Sequence, residues 1–168
     1  MLIDDFSSQD LTSKLGTKWY GISDSVMGGV SKANVTCSLI GKCPSLILYG
    51  DVLLENNGGF IQAALNLAMA EGVLDASAFS GIRLVVRGNS EQYSIHLRTP
   101  DNIRSWQSYR SQFIATTNWK TIDLPFSIFT PHRHDIPLNI RRLRRIGIVA
   151  IGRAFYADLA VAKVSFFF

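Results

Sequence analysis

Chemistry needs side chains that hold a metal, attack a bond or move a proton, so the histidines, thiols and acids are weighed first. His132-Arg133-His134-Asp135 is the one metal-like cluster. Histidines at i and i+2 on an extended chain would face one way, and Asp135 could add a third ligand. A polar loop between Pro131 and Pro137 explains the same residues without a metal, and this is the reading adopted. The two cysteines, Cys37 and Cys43, are too few for a disulfide framework or a structural zinc site, and neither has a nearby histidine to activate it. They read as reduced thiols beside one hairpin. Glutamate occurs only at Glu55, Glu71 and Glu91, and nothing marks a carboxylate pair for glycoside hydrolysis. The spacings of a nucleophile elbow, a zinc-protease helix, a phosphate loop and a dinucleotide fingerprint are all absent. The expectation is a protein that is not an enzyme, with no catalytic residue, no metal and no cofactor.

Two segments carry more specification than a fold requires. Trp19-Tyr20-Gly21-Ile22-Ser23-Asp24-Ser25-Val26-Met27-Gly28-Gly29-Val30-Ser31 lacks strand alternation and sets an aromatic, an acid and a methionine around a glycine pair. Glu55-Asn56-Asn57-Gly58-Gly59-Phe60 repeats the glycine pair. Glycine doublets permit close backbone approach, and Asn or Asp side chains satisfy loop backbone groups. Both loops can therefore serve the shape of the fold or the grip on a partner.

Charge is concentrated in one place. The 168 residues carry 17 Lys and Arg against 13 Asp and Glu, a net charge of +4. Removing Arg141, Arg142, Arg144 and Arg145 leaves the two signs balanced. A nucleic-acid binder spreads its cations along a face, so this cluster reads as a solvated loop leading into a strand, with RNA contact the minor reading. No apolar run approaches the ~20 residues of a membrane-spanning helix. Neither a signal nor a transit peptide is visible, so a cytoplasmic location is expected, or a mitochondrial one if a leader has been removed.

The elements that must position these residues are short strands. Apolar and β-branched runs occupy Asn34–Ile40, Ser45–Leu54, Gly59–Met69, Gly81–Arg87, Gln92–Thr99, Tyr109–Thr116, Trp119–Leu124, Arg145–Ile151 and Phe155–Phe167. Turn residues separate them, among them Asn56-Asn57-Gly58, Gly88-Asn89-Ser90 and Thr99-Pro100-Asp101-Asn102. Alternation is clear in Gln92–Thr99: Tyr93, Ile95 and Leu97 point one way, and Gln92, Ser94, His96 and Arg98 the other. Ile61–Met69 is rich in helix formers, yet Ile61, Ala63, Leu65, Leu67 and Met69 alternate with Gln62, Ala64, Asn66 and Ala68, so it reads as a strand. Helix is expected only as a turn or two, at Asp10–Leu15 and Asp75–Phe79. The pattern predicts one all-β domain over residues 1–168, a sandwich of about nine antiparallel strands.

At this point the residues resemble a family. Trp19 with Asp24-Ser25-Val26-Met27-Gly28-Gly29-Val30-Ser31, followed by Glu55-Asn56-Asn57-Gly58-Gly59-Phe60, closely resembles the complex I intermediate-associated protein 30 family. Gly81 to Gly88, Tyr93 to Arg98, Trp119 with Leu124-Pro125-Phe126-Ser127 and Phe129, and Ile146-Gly147-Ile148 extend the likeness from about Ile3 to Val164. The resemblance implies a galactose-binding-like jelly-roll β-sandwich and a role like that of respiratory complex I assembly chaperones, which bind a protein client without catalysis.

Three functions follow in order. The first is a protein-binding module whose contact loops present Trp19, Asp24, Met27, Gly28, Gly29, Asn57, Gly58 and Phe60. The second is carbohydrate binding on a jelly-roll face supplied by Arg87, His96, Arg98 and Arg110, with Tyr93, Tyr109 and Trp119 as candidate stacking rings. Tyr93 sits in the register of Ile95 and His96 in that of Arg98, so these two cannot line one face. The third is RNA contact through Arg141–Arg145, for which no RNP-type aromatic motif is present.

Overall fold

A computed structural model describes all 168 residues as two packed antiparallel sheets. In chain order the strands are β1 (Leu2–Asp4), β2 (Tyr20–Ser23), β3 (Asn34–Ile40), β4 (Cys43–Val52), β5 (Phe60–Asn66), β6 (Gly81–Arg87), β7 (Gln92–Arg98), β8 (Ser108–Ile114), β9 (Lys120–Pro125), β10 (Thr130–His132), β11 (Arg145–Ile151) and β12 (Phe155–Phe167). The first sheet runs β3-β4-β12-β6-β9, with β1 also paired to β12. The second runs β10-β8-β7-β11-β5-β2.

All nine expected strands form, and β1, β2 and β10 are added at sheet margins. Tyr20–Ser23, read in the sequence as loop, pairs with β5 from Tyr20↔Ala64 to Ser23↔Ile61. The pairing needs no apolar alternation because β2 is an edge strand.

Alternation decides the layers. Leu46, Leu48, Ile82, Leu84, Val86, Leu159 and Val161 of the first sheet meet Ile61, Leu65, Tyr93, Ile95, Leu97, Ile146 and Ile148 of the second. Each fully buried large side chain contributes about 1.5–3 kcal/mol of transfer free energy. Ile61, Ala63 and Leu65 enter the core while Gln62 and Ala64 lie on the opposite face, so period-2 sidedness overrides the helix-rich composition, but the strand ends at Asn66, short of the expected Met69.

The two expected helical turns do not form. At Asp10–Leu15 the backbone donors are drawn elsewhere: Thr12 N donates to the Asp10 carboxylate, Ser13 N to Thr17 O and Lys14 N to Ile3 O. At Asp75–Phe79, Ser77 N donates to Asp75 Oδ1 and Ala76 N to Ile140 O, while Leu74 bridges to Leu143. Side-chain capture and cross-loop pairing thus defeat propensity. The helix present is four 3₁₀ turns, at Asp24–Met27, Glu55–Asn57, Phe126–Ile128 and Ile140–Arg142. None is long or apolar enough to cross a membrane.

Candidate functional site

The second sheet carries a groove of about 1060 Å³ on the side away from the core. Strand register builds it row by row. One complete row crosses all six strands: Thr130, Arg110, His96, Gly147, Ala64 and Tyr20. Its centre, Gly147 and Ala64, has almost no side chain, so the trough lies there with Arg110 and His96 on one side and Tyr20 on the other. A Cβ on Gly147 would stand 1.8 Å from Gln62 Oε1, so the glycine is what lets the Gln62 amide lie across the floor. The flanking row holds Arg98, Arg145 and Asn66.

One end of the groove is closed by the 99–107 loop, which Arg98 holds in place. Its guanidinium donates to Ser105 O at 2.7 Å, Asn102 O at 3.1 Å and Arg104 O at 3.2 Å. Gln107 Oε1 accepts from Ile103 N and Arg104 N, both at 3.1 Å. The result displays Ile103 and Trp106, 79% and 51% exposed, at the groove rim.

The opposite rim is made by the two glycine-doublet loops, and a single buried carboxylate joins them. Asp24 has no exposed surface, and it accepts from Ser31 N, Ser31 Oγ, Gly59 N and Phe60 N. Burial raises its pKa, but the bonds from Ser31, Gly59 and Phe60 outweigh that and hold the carboxyl below its ordinary 3.8. A Cβ on Gly29 or on Gly58 would fall 2.5 Å from this carboxylate. Those two glycines are therefore required by close approach to Asp24.

This geometry sorts the eight contact-loop residues expected from sequence. Met27, Gly58 and Phe60 line the groove. Trp19 and Asp24 offer a partner no surface: Trp19 is 2% exposed, tilted on Phe6, and donates from Nε1 to Asp4 Oδ2 at 2.9 Å. Gly29 is packed against Asp24, and Gly28 and Asn57 are exposed outside the groove lining. Of the alternative face, His96, Arg98 and Arg110 are in the groove, whereas Arg87 stands on the other sheet over the Trp119 ring at 5.9 Å. Tyr93 and Tyr109 are core residues. The metal-like cluster is dispersed because Arg133, at φ 63°, breaks the extended run. His132 faces the groove, while His134 Nε2 lies 3.2 Å from Asn102 Nδ2 and 3.3 Å from Ser108 O.

The basic cluster is also divided. Arg141 pairs with Asp75 at 3.8 Å, and Arg144 and Arg145 enter the groove. Together with Arg98, Arg110 and Arg133 they give it five arginines against one carboxylate, Glu71. The molecule's salt bridges join Lys14–Asp5, Arg83–Asp123, Arg141–Asp75 and Arg153–Glu91, so no groove arginine has an acidic partner. Burial and this excess of positive charge act in the same direction on the groove's basic groups. Burial, then Arg133, brings Arg110 down to about 10. Burial, then Arg110, His132 and Arg145, holds His96 well below 6.5, and burial with Arg110, Arg133 and His134 lowers His132. Arginine donates and never accepts, so this lining favours an acceptor-rich, negatively charged occupant. Trp106, Ile103, Arg133, Gln62 and Gly147 escaped the sequence reading. Period-2 counts within their own strands could have placed only Gln62, between Ile61 and Ala63, and Gly147, between Ile146 and Ile148, on the face away from the core.

Comparison with known proteins agrees with this fold. The family 11 carbohydrate-binding module from Clostridium thermocellum, solved in complex with a β-1,3-1,4-mixed-linked tetrasaccharide, superposes with a TM-score of 0.73 at 15% identity, over 99% of this chain and 94% of that one. A family 30 carbohydrate-binding module superposes with a TM-score of 0.64 at 13% identity, over 89% and 82% of the two chains. At such identity the likeness concerns architecture, a jelly-roll sandwich. No curated protein sequence matches. The sequence profile of the complex I intermediate-associated protein 30 family matches residues 5–160, which spans the glycine-doublet loops, the Asp24 clasp and every strand of the grooved sheet. The chain belongs to the complex I intermediate-associated protein 30 family.

Proposed function

We propose that this chain is a non-catalytic binding module that holds a segment of a protein client in the groove of the second sheet, as an assembly factor of the respiratory complex I type does. One observation carries the reading: five arginines without acidic partners share the groove with exposed apolar side chains, Val26, Met27, Ile103 and Trp106. Aliphatic side chains and guanidinium donors together suit a polypeptide with both apolar and acidic residues. Family membership supports a protein client. The Asp24 clasp then serves function indirectly, by fixing the rim that bears Met27 and Phe60. Hydrogen exchange of the chain, free and bound to a client captured from its host, tests the proposal by locating the protected face.

Carbohydrate binding is the second reading, favoured by the neighbour solved with a tetrasaccharide and by Tyr20 and Trp106 as rings on which a sugar could stack. It ranks lower because the charged lining is almost wholly cationic, whereas a neutral sugar's hydroxyls both donate and accept. RNA contact ranks third: Leu143 is core and Arg141 is engaged by Asp75, which interrupts the basic stretch.

A further inference from the structure

Within the groove one spot is built for a negative charge. His96 is 8% exposed, and its Nε2 is the buried side-chain polar atom without a hydrogen-bond partner. Such an atom costs free energy unless something satisfies it. Directly across the register stands Arg110, which donates from Nε to Ser108 Oγ at 2.8 Å and from Nη2 to Trp106 O at 3.4 Å, leaving the rest of its fork open. On the other flank Arg145 touches only the Tyr20 hydroxyl, at 3.4 Å. Between these groups the Gln62 amide oxygen fills the space over Gly147, so an occupant of that spot must displace it.

We propose that His96, Arg110 and Arg145 form a carboxylate-reading subsite, which takes an Asp or Glu side chain of the client over Gly147. This rests on the groove being the client-binding face. Neutral His96, protonated at Nε2, donates to one carboxylate oxygen, and the two guanidiniums supply charge-assisted bonds, for which a carboxylate's two oxygens have the matching geometry. Gln62 swings aside to admit the carboxylate, because its Oε1 otherwise occupies that space. The flanking apolar rim takes the client's neighbouring side chains, so the preferred segment mixes acidic and apolar residues. A carboxylate beside His96 also favours the imidazolium, so occupancy raises the His96 pKa from the depressed value set by burial, Arg110, His132 and Arg145.

The test uses a short alternating Leu-Glu peptide and its Leu-Gln counterpart, titrated against the full chain at low salt with His96 followed by nitrogen NMR. Charged hydrogen bonds of this kind correspond to roughly a tenfold or greater preference for the Glu peptide. That preference is expected to fall severalfold in Arg145→Gln and less in Arg145→Lys, and the His96 ring signals should move on addition of the Glu peptide alone. Equal binding of the two peptides, no binding of either, or unmoved His96 signals would overturn the subsite. Tighter binding of polygalacturonate or single-stranded RNA than of the Glu peptide would overturn the choice of a polypeptide. A client footprint on the groove with no Glu preference removes the subsite alone, whereas a footprint elsewhere removes the subsite and the binding face together.

Discussion

Replacing Asp24 tests whether one buried carboxylate holds the two signature loops together. Oδ1 accepts from Ser31 N, and Oδ2 accepts from Ser31 Oγ, Gly59 N and Phe60 N; Asp24→Asn with its oxygen on the Oδ2 side turns an NH2 toward Ser31 N, so that bond is lost and the other three lose their charge. A buried charge-assisted bond carries about 1.5–3 kcal/mol, and a stranded buried N–H costs about 1–3 kcal/mol. The expected loss is about 3 kcal/mol, with Asp24→Ala at or above it. For a domain of this size that is roughly 6–12 °C in Tm. Urea and thermal unfolding of the wild type, Asp24→Asn, Ser31→Ala and the double variant measure it, and the double variant should fall short of the sum because the two side chains share one bond. The acid limb supplies a second check. The folded carboxyl lies below 3.8, so its stabilisation is complete above the unfolded value and disappears as pH falls through the folded one; Asp24→Asn should flatten that limb. A loss below about 0.5 kcal/mol, the size of an ordinary surface substitution, with an unchanged acid limb, would refute the clasp.

Two further outcomes follow from particular contacts. Burial, then Asp4 and Asp10, pushes Cys37 from 9.0 up to about 11, and its thiol donates to Asp10 O at 2.9 Å. Alkylation near pH 8 should therefore be slower by about a hundredfold than for a thiol at 9.0, because the thiolate is the nucleophile; labelling at an ordinary rate would contradict it. Arg98→Gln removes three bonds to the carbonyls of residues 102, 104 and 105, so amide exchange across 103–107 should quicken at least about tenfold while β7 and β11 keep their protection. Unchanged exchange in that loop would show that Arg98 does not position it.

The strands were legible because burial imposes its period on the sequence: Tyr93, Ile95 and Leu97 could be assigned to the core from alternation alone. The additional strands were not, since β1, β2 and β10 are three or four residues long and owe their pairing to neighbours rather than to their own pattern. The glycine doublets were visible as special, but their cause was hidden. Only the folded chain brings together Gly29 and Gly58, distant in sequence, so that both make room for Asp24. A buried carboxylate and a partner-facing one look identical in sequence, which is why Asp24 and Trp19 stood among the expected contacts. The groove was half legible. His96 and Arg98 share a face by period, but Trp106 comes from the β7–β8 connection and Arg133 and Arg144 from the two ends of the β10–β11 connection, and no local pattern tells which loops meet.

Where a client touches the molecule decides whether the grooved sheet is the binding face. Hydrogen exchange with and without the captured client should show protection confined to the grooved sheet and its rims: residues 20–27, 58–62, 103–110, 132–133 and 144–152. Protection centred on β3, β4, β12, β6 and β9, with the groove amides unchanged, would contradict it.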